Sequence, residues 1–152
     1  MKRETRIAAS VFIFGPAAML TAAIACTYAI ANGASMRWRA LFRLVCHGIP
    51  ERCLMLFGMP MPICARCTAC YGGLILGLAA YLALPWISER LLRKLAWIGA
   101  IPIFVDGVTQ ALRLRESTNG LRVATGLVAG FAFGMWILSA IEQHVHTAEA
   151  NS

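Results

Sequence analysis

Four apolar stretches, residues 7–31, 70–87, 95–113 and 121–141, constrain what this chain can fold into more than any other feature. Each is close to the ~20 residues that an α-helix needs to cross the hydrocarbon of a bilayer. A helix on a soluble core keeps a polar face, and these stretches largely lack one. Hydrophobic residues make up 59% of the 152 and charged residues only 14%, with a mean hydropathy of +0.68. A soluble domain of this composition would have too little polar surface to cover itself. The expected fold is an all-α integral membrane protein: one domain over residues 1–152, four transmembrane helices, and a loop of residues 32–69 between the first and second.

Lys2, Arg3 and Arg6 precede the first stretch as they would a secretory signal, and Ala-Ile-Ala before Cys26 has a trace of a lipoprotein cleavage site. The apolar run is longer than the ~7–15 residues of a signal core, so an uncleaved helix is expected, kinked at Pro16. The formal net charge of +7 does not point to nucleic acid. The basic residues flank the spans, where lipid head groups and topology account for them, and no nucleic-acid motif accompanies them. The expected partner is the bilayer.

The chemistry-bearing residues crowd into the first loop. Five of the six cysteines lie between Cys46 and Cys70. Ahead of them Trp38, Leu41, Phe42 and Val45 recur at i, i+3, i+4 and i+7, while Arg37, Arg39 and Arg43 point away. That pattern predicts a short helix lying in the membrane interface and delivering Cys46-His47 to the surface. Between Cys53 and Cys64, Gly58 separates two short apolar runs, compatible with a hairpin that Pro60 and Pro62 would restrict. Cys64-Ala-Arg-Cys67 then forms a tight turn whose sulfurs can share one tetrahedral ion, and Zn²⁺ takes four such N or S ligands. Cys46 and His47 can complete the set, with Cys53 in reserve. The Met residues of the hairpin could hint at Cu(I), and Cys64, Cys67 and Cys70 at an iron–sulfur centre. Met is more often an apolar filler, and the fourth cysteine of the usual cluster run is missing.

The third span carries a second signal. Asp106, Gln110 and Arg113 fall on one helical face. An ionisable residue within an apolar helix marks a bundle interior, a polar cavity or a partner; a purely structural Asp–Arg tie is the plainer alternative. Glu116, Ser117, Thr118 and Asn119 follow, one of them capping the last helix, with Arg122 in its first turns beside backbone N–H groups suited to an anion. Gly73 and Gly77, and Gly126, Gly130 and Gly134, recur every four residues as helix-packing faces, compatible also with a homo-oligomer. His144 and His146 belong to a polar tail.

Alternating spans put the first and third connections on one side. That side would hold Cys46, His47, Arg52, Cys64, Arg66, Cys67 and Glu116 to Asn119, with the mouth of the Asp106–Arg113 face. The termini and second connection carry six Lys/Arg and the other two connections eight; without Arg52, Arg66, Arg113 and Arg122 as site residues the balance becomes six against four. The positive-inside rule then favours cytoplasmic termini and an external site, whereas reduced thiols favour the reverse.

Several motifs appear in order: Cys46-His47-x-x-Pro50-Glu51-Arg52; Pro62-x-Cys64-Ala65-Arg66-Cys67-Thr68-x-x-Tyr71-x-Gly73; Asp106-Gly107-x-Thr109-Gln110; and Glu116-Ser117-Thr118-Asn119-x-x-Arg122-x-x-Thr125-Gly126. Together they closely resemble the prokaryotic membrane proteins grouped as domain of unknown function 2085, from about Cys46 to Gly130. The resemblance implies a multi-pass protein of the prokaryotic cell membrane, with Cys46, His47, Cys64 and Cys67 as its thiol and imidazole positions. It places Cys53 and Cys70 where the family more usually has a small residue, and it supplies no activity.

Three functional classes remain. In the first, Cys46, His47, Cys64 and Cys67 hold zinc. Arg52, Arg66, Arg113 and Arg122 then face an anionic, lipid-type ligand, and Asp106 acts as base or proton carrier, with Arg66 and Arg122 beside it as catalytic candidates. In the second, Cys64 and Cys67 exchange thiol and disulfide in a layout that resembles quinone-linked oxidoreductases, Arg66 lowering a thiol pKa. The third is a small ion or solute carrier built around Asp106.

Overall fold

A computed structural model describes residues 3–150. Helix α1, Arg3–Ala31, runs through Pro16 and ends where Gly33 turns the chain at φ +95°. After it comes a 3₁₀ segment, Met36–Leu44, started by Ser35, whose hydroxyl accepts the Arg37 N–H. A 3₁₀ turn at Pro50–Arg52 leads into strand β1, Cys53–Leu56, which pairs antiparallel with β2, Met59–Cys64. Helices α2, Ala65–Ala83, α3, Glu89–Ala111, and α4, Asn119–Ala150, complete the fold.

Among the described residues three helical segments are long and apolar enough to cross a membrane: Ser10–Ala31, Ala65–Ala83 and Asn119–Val145. Helix α3 has the length but not the composition, because Arg90, Arg93 and Lys94 crowd its start and Asp106 interrupts its apolar run. The second helix also begins earlier than its hydropathy indicates. Cys64 caps it by accepting the Cys67 N–H, so Cys67 lies on the helix with Cys70 rather than in the preceding loop. It stops at Ala83, ahead of Pro85, which cannot continue a helix.

The segment 36–44 corrects the expected amphipathic helix. With three residues per turn, i and i+3 eclipse, so Trp38, Leu41 and Leu44 form one edge and Arg39 and Phe42 another. The first edge is exposed, Leu44 at 93%. Phe42 is buried, and Arg39 turns inward rather than to head groups: it donates to the backbone oxygens of Pro60, Gly48 (3.2 Å) and Met61 (3.1 Å). This one side chain ties the Cys46 loop to the hairpin. The hairpin is a two-residue loop with positive φ at both Phe57 (54°) and Gly58 (74°), the combination that matches strand twist. Phe57 is held in this uncommon conformation by an edge-on contact with Tyr28 of α1, centroids 5.4 Å apart.

Met61 and Ile63 of β2, with Phe42 and Cys46, pack onto Ala23 of α1, and Cys64, Cys67 and Tyr71 border the same cluster. Ala23 lies eight residues before the end of α1, so α1 continues about 12 Å past this contact. The hairpin and 3₁₀ segment occupy the space beside that overhang.

Helices α2 and α4 meet backbone to backbone. A Cβ on Gly126 would lie 2.6 Å from the Arg66 carbonyl oxygen, and one on Gly73, Gly77, Gly130 or Gly134 would be closer still to the facing helix. Both glycine rows are consumed within the chain. At the far end Tyr81 donates to Glu142 (2.7 Å), and Trp136 to Glu89 (2.9 Å).

Candidate functional site

The first elements of the site are sulfurs. Cys46 lies two residues past the 3₁₀ segment, Cys64 is the last residue of β2, and Cys67 is in the first turn of α2. Their Sγ atoms lie within 4.8 Å of one another. The Cys64 N–H donates to the Cys46 sulfur at 3.2 Å, and the Cys67 N–H to the Cys64 sulfur at 3.5 Å. Such N–H donors favour the thiolate, the form that ligates metal. Hydrogen bonding from Cys67 pulls the Cys64 thiol below its ordinary range, against the opposing effect of its own burial. Burial pushes the Cys53 thiol up to about 11, and its sulfur is taken by the Ile49 carbonyl at 3.1 Å. Cys53 is therefore an inert wall residue, even though it faces Cys64 directly across the hairpin.

Three sulfurs brought together from three segments, two of them already accepting a backbone N–H, suit a thiophilic divalent ion such as zinc. His47 is not part of the trio. It is exposed, although it lines the same cavity.

Beside the sulfurs a cavity of about 390 Å³ is lined by Cys46, Cys64 and Cys67 together with Arg52, Arg66, Arg122 and Gln110. Asp106, 1% exposed, sits behind it. One oxygen accepts from Arg66 and the other from Arg115 at 2.7 Å, while the Ser117 hydroxyl is a further partner. Arg66 also reaches Gln110 at 3.5 Å. The face read as Asp106, Gln110 and Arg113 holds for its first two members only. The α3 helix ends at Ala111, and Arg113 adopts φ +57° as the residue after the cap, while the Leu114 N–H closes onto the Thr109 carbonyl at 2.9 Å. That turn sends Arg113 outward and brings Arg115 back onto Asp106. Residue spacing puts Arg113 on that face and passes over Arg115, because it does not show the turn between them.

The Glu116–Asn119 group divides by task. Glu116 is exposed. Ser117 is buried against Asp106. Thr118 caps α4 by accepting the Leu121 N–H at 3.3 Å. Asn119 donates to the Cys53 carbonyl at 3.2 Å and accepts from Arg122 at 2.6 Å. Arg122 is 5% exposed, and both its Nε and that of Arg66 are buried without a hydrogen-bond partner among the described residues. Gly126, one turn on, lets α4 lie against Arg66 and so brings the two arginines together. Arg39 and Arg115 are the supporting residues that sequence reasoning missed. A three-residue periodicity on the 36–44 segment would have flagged the first.

A family profile described as "Predicted membrane protein (DUF2085)" matches residues 46–136, a range that contains the three sulfurs and the residues lining the cavity apart from Val45. An uncharacterised protein of Methanocaldococcus jannaschii is 41% identical over 104 residues, 65% of this chain and 65% of that protein. An uncharacterised protein of Methanothermobacter thermautotrophicus is 38% identical over 104 residues, 68% of this chain and 92% of the relative. The chain thus matches a little under two thirds of the length of the first relative and nearly all of the second. No solved structure matches it.

Proposed function

The chain belongs to the DUF2085 family of predicted membrane proteins, and from that premise we propose a multi-pass protein of the cytoplasmic membrane that holds zinc at Cys46, Cys64 and Cys67 beside a cavity for an anionic, lipid-type ligand. Helix α3 is a fourth span in this reading: Ile98, Ile101 and Phe104 face outward as lipid-contacting residues would, and Asp106 is shielded by two arginines. The observation that carries the proposal is the convergence of three sulfurs, from the loop after the 3₁₀ segment, the end of β2 and the start of α2, within 4.8 Å. Three ligands leave a fourth tetrahedral position for an exchangeable group, and the adjoining cavity supplies the space for one. Arg52, Arg66 and Arg122 meet the ligand's charge. Asp106 serves as a positioning residue for Arg66 rather than as a base, because both of its oxygens already accept from guanidinium groups. The same commitment disfavours an ion carrier built on Asp106.

Zinc analysis of detergent-purified protein tests this. One equivalent is expected in the wild type, lost in Cys46→Ser, Cys64→Ser and Cys67→Ser and retained in His47→Ala. Loss in His47→Ala as well would return the imidazole to the ligand set. A metal-free protein whose Cys64 cycles between thiol and disulfide would replace the proposal with thiol exchange, the second reading, which the lowered Cys64 pKa favours.

A further inference from the structure

The cavity beside the sulfurs holds more positive charge than the acids around it balance. Arg52, Arg66 and Arg122 reach it from the second 3₁₀ turn, α2 and α4. The buried carboxylate at this level, Asp106, is committed to Arg66 and Arg115. Among the described residues Arg122 hydrogen-bonds only the neutral Asn119 amide oxygen, and it feels the like charges of Arg52 and Arg66 more than the opposing Asp106 and Cys64. Two buried guanidinium N–H groups, Nε of Arg66 and Nε of Arg122, lack acceptors among the described residues. An unmade bond of this kind is destabilising, more so where the group is charged. The cysteines do not remove the surplus. Three thiolates on a divalent ion carry one net negative charge, and so does a metal-free cluster with one ionised thiol.

We propose that this cavity binds a phosphoryl group, with Arg52, Arg66 and Arg122 around its oxygens and the ester body along Val45 and Ile49. Guanidinium forks match phosphate oxygens two at a time. Three forks arriving from three elements need more acceptors than the two oxygens of a carboxylate, and a phosphoryl group provides three or four. Val45, Ile49 and Ala111 give the lining an apolar part, and about 390 Å³ exceeds what the ion alone requires. The inference rests on the anionic-ligand reading above and sharpens it, and it stands whether or not the sulfurs carry metal.

The test titrates detergent-purified protein, with zinc content measured on the same preparation, against inorganic phosphate, short-chain phosphatidic acid and acetate by calorimetry. One-to-one binding of phosphate or phosphatidic acid is expected, with acetate at least tenfold weaker. Arg122→Gln should weaken binding at least tenfold, and Arg93→Gln, at the far end of α3, should not. Tighter binding of the lipid identifies a head group; tighter binding of the free ion identifies inorganic phosphate. If Arg122→Gln does not fold, Arg52→Gln carries the comparison. The proposal is overturned if neither phosphoryl probe binds, if acetate binds as well, or if the arginine variants that fold bind like wild type. Zinc-loaded protein that ignores both probes sinks this inference alone. Zinc-free protein that binds phosphate sinks the metal reading and keeps this one.

Discussion

The Cys64 backbone N–H donates to the Cys46 sulfur at 3.2 Å, across 18 residues of chain. That contact joins the end of β2 to the loop after the first 3₁₀ segment at the point where α2 begins, and the Cys67 N–H repeats it one step further on. The thiol group is therefore held by backbone geometry, and three consequences of the surrounding packing can be measured.

The thiols should titrate apart. In metal-stripped protein Cys64 has a lowered pKa and Cys53 one pushed up to about 11. A group with a lowered pKa is already thiolate at neutral pH, and one with a raised pKa is not. Iodoacetamide at pH 7 should modify Cys64 well ahead of Cys53, which should stay unmodified until the pH approaches 11. Peptide mass mapping across a pH series reads the order directly, and equal labelling at pH 7 would contradict the geometry.

Removing the charge of Asp106 should be costly. Asp106→Asn keeps the volume but leaves Arg66 and Arg115 facing each other without a carboxylate. Loss of one partner from a buried pair costs about 3–5 kcal/mol; with Arg66 and Arg115 22% and 47% exposed, about 2–3 kcal/mol is the expected loss. Arg113→Gln, on an exposed side chain beyond the helix, should stay within about 0.5 kcal/mol. Thermal unfolding in detergent compares the two.

The helix contact beneath the site should tolerate no added methyl. Gly130→Ala places a Cβ against the Cys70 carbonyl, backbone that cannot step aside. Overpacking of this kind costs about 1–3 kcal/mol, and it should also lower zinc content by shifting the start of α2. Gly120→Ala meets nothing within 4 Å and should be neutral or stabilising by up to about 1 kcal/mol, the helix-propensity difference. A destabilised Gly120→Ala with an unaffected Gly130→Ala would show that the two helices are not in this contact.

What the sequence by itself determined is what depends on spacing along the chain. Long apolar runs mark the helices, because a helix in a bilayer must satisfy its own backbone. Glycines every four residues mark the α2–α4 contact, and the motif order marks the family. The sequence also brought Cys46, Cys64, Arg66, Cys67, Asp106 and Arg122 to one end of the molecule, because antiparallel helices return their connections to the same side. What only the tertiary structure decided turns on local backbone choices smaller than any hydropathy window. A 3₁₀ rather than an α periodicity put Arg39 inside and Trp38 and Leu41 outside. A left-handed residue at Arg113 gave Asp106 to Arg115. An inward Cys46 left its neighbour His47 exposed. Each of these reverses a side chain's direction without changing the fold, so a pattern of residue types could announce the site but not say which of its members face one another.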